Sequence, residues 1–330
     1  MAVAEAPARP TSNRTVLVVL LVGIAAVLAV RLTSAGDAAV TQTFTLIFTA
    51  IVVEALPFVL LGALVSAVIE VFVPDAAFQR LGRLPVGLQL PIAALGGFAF
   101  PVCECGSVPV ARRLIRRGLD PSAGVAFMLA SPIFNPIVLA STWVAYSSRG
   151  LAWQMVLGRG LVGLVLAIAA GWAIGTDGAQ ALLRKRADDE EVTHDHGSKL
   201  GAFAEHLGGD FLFMGKFLVI GAALAAAIQT VLPQSFIAGV ARTPVIGSLG
   251  LMAVAYVASL CSEADAFVAV SFTQFPIGSQ LAFLVFGPVL DFKLTFLYSA
   301  AFRNRFVIRL VAVAIPVTLA GSLVFEALLR

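Results

Sequence analysis

Two thiols and a carboxylate stand side by side at Cys103, Glu104 and Cys105, in the stretch FPVCECGSVPVARRL (100–114) of an otherwise apolar chain. Pro101, Gly106 and Pro109 surround them, so a helix entering this stretch is bent or stopped, and its freed amides and carbonyls need partners. A second stretch, SLCSEADAF (259–267), places Cys261, Glu263 and Asp265 in the same kind of setting. Two further interruptions lack thiols. SPIFNPI (131–137) sets Ser131 and Asn135 among Pro132 and Pro136, and GPVLDFK (287–293) sets Asp291 and Lys293 after Pro288.

Thiolates select soft or borderline species: Cu(I), Zn²⁺, trivalent arsenic, or sulfur species by exchange. Cys103, Cys105 and Cys261 are therefore a candidate transient metal set, since a tight permanent one would stop transport. Carboxylates inside membrane segments are costly and point to function by default. Glu104, Glu263, Asp265 and Asp291 are the candidates for balancing charge or carrying protons. Ser131, Asn135 and the carbonyls freed around Pro132 and Pro288 complete a candidate solute path. Each group also has a plainer reading: cysteines packing as small hydrophobes, prolines as kinks, and Glu263 and Asp265 paired with Lys293 or Lys216. The coincidence favours a site, because all three cysteines and several of the scarce intramembrane acids fall in these breaks.

The elements that position them are membrane helices. Of 330 residues, 59% are hydrophobic and 12% charged, about half the charge of a soluble protein. Apolar segments run over 16–33, 43–73, 87–111, 121–147, 152–176, 210–232, 245–275, 279–301 and 306–328. At ~20 residues per crossing this is an all-α polytopic membrane protein with about nine transmembrane helices (8–10), some of which are re-entrant pairs instead. The runs are continuous rather than alternating, which argues against a membrane β-barrel. The first run, after Arg9 and Arg14, reads as a short uncleaved helix rather than a signal peptide. The net charge of +3 lies in loops, as the positive-inside rule produces, and nothing suggests nucleic acid. No Walker A motif is present, so coupling falls to an ion gradient.

A charged stretch at 177–209, with RKRADDEEVTHDHGSK, reads as a cytoplasmic linker. His194 and His196 are spaced to trap a metal weakly, but a solvated loop is the simpler reading. It follows an N-terminal tail and first helix (1–42) and a first permease repeat (43–176), and precedes a second repeat (210–330). PFVLLGALVSAVIEVFVP (57–74) aligns without gaps on KFLVIGAALAAAIQTVLP (216–233), at an offset of 159. Phe58, Gly62, Ala63, Ala67, Ile69 and Pro74 meet identical residues there. Beyond a three-residue deletion Cys105 meets Cys261, Pro132 meets Pro288 and Asn135 meets Asp291. Duplicated halves with broken helices are a transporter signature, with the solute bound near the midplane. Four crossings per half imply parallel repeats, and a re-entrant hairpin over 89–118 implies inverted ones. With four crossings per half Arg112, Arg113, Arg116 and Arg117 share a side with the linker, as a headgroup anchor or as a vestibule for anions.

PVCECGSVPVARRLIRRG, FMLASPIFNPIVLAST, SEADAF and LAFLVFGPVLDFK resemble the predicted bacterial permeases that include the ArsP-type organoarsenical exporters. The similarity covers most of residues 43–328. The resemblance implies a multi-pass permease of the bacterial plasma membrane, with paired discontinuous helices and thiol binding of trivalent arsenic at Cys103 and Cys105. Glu104 between the cysteines and the Glu-Ala-Asp run at 263–265 resemble a Cys-Glu-Cys-Gly subgroup, often paired with a second small membrane subunit. The expected function is secondary transport, outward, of a soft metal, metalloid or related thiophilic solute. The alternatives are a thiol-based membrane redox protein and a scaffold subunit of a permease complex. Expected partners are the lipid bilayer, the solute, a second membrane subunit and further copies of the chain. Neither enzyme activity nor a cofactor is expected.

Overall fold

Long apolar runs without side-chain charge can bury their backbone groups in a bilayer only as helices, and helices are what they form. In a computed structural model, residues 38–73, 84–99, 102–175, 178–184, 199–231 and 244–329 are described. The run at 16–33, Pro101, His194 and His196 lie outside the described residues. The helices are α1 (Ala38–Phe72), α2 (Val86–Ala99), α3 (Glu104–Arg116), α4 (Pro121–Ala130), α5 (Pro136–Ser147), α6 (Ala152–Gly175), the single turn α7 (Ala179–Leu182), α8 (Lys199–Val231), α9 (Pro244–Ala258), α10 (Asp265–Ala269), α11 (Ile277–Phe286), α12 (Phe292–Ala301) and α13 (Asn304–Leu329). The stretch 199–209, read as linker, is already helical within α8. Among the described residues, α1, α6, α8 and α13 hold the four spans long and apolar enough to cross a membrane by themselves.

The shorter helices divide into two kinds of pair. α2 and α4 run in the same sense, because Leu90 and Ser122 meet at Gly171 while Gly97 lies against Ser131. α3 returns the other way, and its far end packs Ile115 against Gly124 near the start of α4. α2 and α3 are therefore a hairpin that enters and leaves by one face. α4 and α5 are one crossing, interrupted at 131–135. The second half repeats the order. α9 and α11 run together, with Gly247 at Ser279 and Ala255 at Gly287. The chain then turns back through α10, and α11 and α12 form a crossing interrupted at 287–291.

Among the described residues each half thus makes three crossings and one hairpin. Three is odd, so the second half runs through the membrane upside down relative to the first. This is the hairpin alternative of the two weighed from sequence. The same face collects the end of α3, the start of α8 and the start of α13: Arg113 reaches Asp210, Arg112 donates to the carbonyls of Arg184 and Ala301, and Leu183 bridges Phe302. That arginine-rich face is the cytoplasmic one by the positive-inside rule. Exposed Trp153 and Trp172 lie near opposite ends of α6. Nineteen residues of helix separate them by about 28 Å, close to the hydrocarbon thickness, as interfacial anchors should be.

Candidate functional site

Breaking a crossing in mid-membrane exposes the first amides of the following helix, and the sequence supplies a cap at each such point. Asn135 Oδ1 accepts from the amide of Ile137 at 2.9 Å, with Pro136 at the first helical position. Asp291 Oδ1 accepts from the amide of Leu294 at 2.6 Å. Short polar side chains at this position satisfy donors that water would otherwise take. α3 begins at the same depth with Cys103 as its first flanking residue, and the start of α10 completes a set of four helix N-termini inside the protein.

Lys293, in the first turn of α12, lies at the centre and is buried. Its Nζ donates to Glu104 Oε1 at 3.0 Å, to the carbonyls of Ser259 at 3.1 Å and Leu260 at 3.3 Å, and stands 3.5 Å from Asp291 Oδ2. Ser259 takes φ +48°, a left-handed conformation unusual for a residue with a side chain. That turn helps aim its carbonyl at the ammonium. On the other side of Glu104, Oε2 accepts from Ser262 Oγ at 3.0 Å and lies 4.0 Å from Cys261 Sγ. Cys261 Sγ in turn lies 2.7 Å from Glu263 Oε2. Cys103 and Cys105, on either side of Glu104 in the chain, are buried in the same cluster as Cys261. All three cysteines are free and buried.

The structure therefore gathers Cys103, Glu104, Cys105, Cys261, Glu263 and Asp291 around one lysine. Asp265 sits one step away. Arg159 of α6 grips it with both arms, at 2.9 and 2.8 Å, and also donates to Thr142 Oγ1 and the carbonyl of Ser262. Ser131 and Asn135 engage their own helices: Ser131 Oγ donates to the carbonyl of Phe127, and Pro132 and Pro288 occupy matching turns in the two broken crossings. Lys216 lies over the rings of Phe213 and Phe217 instead of pairing with an acid at the site. The pairing of Glu263 and Asp265 with Lys293 or Lys216, weighed from sequence, is thus replaced by Arg159 for Asp265 and by Cys261 for Glu263.

Two participants were missed. Arg159 is a single cation inside the apolar run WQMVLGRGLVG, and Glu54 is a single acid three residues before Pro57 in α1. A lone intramembrane charge was the available signal for both. The arginines after Cys105 hold helices together. Arg113 bridges Glu70, Asp210 and Ser66, and Arg117 binds the Glu70 side chain and carbonyl, which ties α3 to α1 and α8.

A family model described as "Predicted permease" (ArsP_1) matches residues 40–327. The chain belongs to this family. It is 41% identical over 284 residues to the UPF0718 protein YcgR of Bacillus subtilis (strain 168), covering 85% of this chain and 96% of that protein. It is 32% identical over 272 residues to the "Putative two-component membrane permease complex subunit" of Streptococcus mutans serotype c, covering 80% and 89%. No solved structure matches the chain. Family and helices together make this a multi-pass bacterial membrane permease, a transporter surrounded by lipid.

Proposed function

We propose that this permease is a secondary transporter that exports a soft metal, metalloid or related thiophilic solute through the site between its broken helices. One observation carries the reading. Three thiols and three carboxylates meet where four helix N-termini face each other inside the membrane, in a chain of a permease family. Residues 43–176 and 210–330 act as inverted repeats around that site, joined by the 177–209 linker. Alternating access follows when the repeats rock about it. The relative named as a subunit of a two-component complex supports a second membrane subunit for this chain as well.

Everted membrane vesicles test the proposal. With an imposed proton gradient they should accumulate at least one of arsenite, methylarsenite, zinc or copper, and Cys105→Ser should abolish the uptake. A deletion strain indifferent to the whole panel would remove the thiophilic substrate while leaving the family assignment untouched.

A further inference from the structure

Lys293 is held as a bound cation is held. Four oxygens surround its ammonium within 3.5 Å: one from Glu104, one from Asp291 and two backbone carbonyls. Directly behind Glu104 lies an unfinished cation site. Glu104, Cys261 and Glu263 each present a donor atom, and the three atoms lie within 4.8 Å of one another. Glu263 Oε1 is buried without a hydrogen-bond partner among the described residues. Donors around a tetrahedral Zn²⁺ stand roughly 3.5 Å apart, given bonds of ~2.0–2.3 Å. The 4.0 Å from Cys261 to Glu104 already suits this, and the 2.7 Å from Cys261 to Glu263 needs to open by about 1 Å.

We propose that the cargo is a divalent transition-metal cation of the zinc class, bound by Cys261, Glu104 and Glu263, and that Lys293 is the resident cation it displaces. This deepens the permease reading and rests on it. One thiolate with two carboxylates favours a borderline ion over hard Mg²⁺ and over Cu(I) or trivalent arsenic, which take sulfur-richer sets. Coordination replaces the Cys261 S–H bond with a metal–sulfur bond, and the proton leaves to water. Lys293 then gives up Glu104 and turns fully to Asp291, whose Oδ2 makes no hydrogen bond before the exchange. When the metal departs, the lysine retakes Glu104, so the buried carboxylate is never left bare.

Cd²⁺ titration of the purified full chain in detergent, read by thiolate-to-metal charge-transfer absorption, tests the site. One equivalent should bind with a charge-transfer band that is lost in Cys261→Ser, and Glu263→Gln should bind at least tenfold more weakly. Two variants test the exchange, both built on Asn, which already serves as cap at residue 135. Asp291→Asn removes the seat to which Lys293 retreats and should weaken Cd²⁺ at least tenfold, although residue 291 does not touch the metal. Asp291→Asn with Lys293→Ile removes the competitor and should tighten it at least tenfold. A chain with no charge-transfer band, a band that survives Cys261→Ser, or Asp291→Asn with unchanged affinity would overturn the proposal. Vesicles that move methylarsenite while the purified chain ignores Cd²⁺ sink this inference and spare the permease. Binding as expected with no solute moved in vesicles sinks the thiophilic export reading instead.

Discussion

At 131–135 and at 287–291 the two interrupted crossings are built almost identically. In each a proline follows the last helical turn. Two amides then fold back onto one carbonyl, those of Ile133 and Phe134 onto Ala130, and those of Val289 and Leu290 onto Phe286. In each an Asn or Asp caps the helix beyond. The hairpin tips are different. The first leads into α3, a thirteen-residue helix ending in arginines, and the second into α10, a single turn of five. The charged groups differ too: Glu104 comes from the first half and Lys293 from the second. What the halves share is backbone architecture, and what they do not share is the chemistry. A duplicated frame encloses one site, and each half furnishes a different part of it.

The largest test of that difference is the charge that the first half contributes to the second. Arg159→Met leaves Asp265 buried and unpaired and should cost about 3–5 kcal/mol of unfolding free energy in detergent, with much of the loss recovered by adding Asp265→Leu. If Arg159→Met is silent, the fork between α6 and α10 holds nothing. Next come the packing glycines at corresponding positions, Gly62 and Gly221. A Cβ on Gly62 would strike the backbone of Gly106, and one on Gly221 would come within 2.8 Å of Lys293 Cα. Ala at either should destabilise by about 1–3 kcal/mol, and only Gly221→Ala should also disturb Cd²⁺ affinity through Lys293. The smallest effect belongs to the caps. Asn135→Ala should lose about 1 kcal/mol by differential unfolding, while Asn135→Asp should change stability by less than Asn135→Ala does.

The segments, the breaks and most of the residues gathered at the candidate site were legible because membrane sequences are sparse in polar groups, so any cluster of them stands out. The equivalence of Asn135 and Asp291 was readable for the same reason. Depth was not. An apolar run of 25 residues such as 87–111 is long enough to cross or to fold back, and only the packing of Ile115 on Gly124 decides for the hairpin. The partners were also hidden. Glu104 and Lys293 lie 189 residues apart, and Arg159 and Asp265 lie 106 apart, so no local pattern joins them.

The contacts that join the halves have a further consequence. α1 lies along α8, Phe72 packs on Phe203, Arg113 holds Asp210, Arg159 holds Asp265 and Glu104 holds Lys293. None of these depends on the covalent passage between Arg184 and Lys199. Two polypeptides severed there and made in the same cell should find each other and reconstitute one permease. The linker then matters chiefly as a guarantee that the cell makes both parts in equal number.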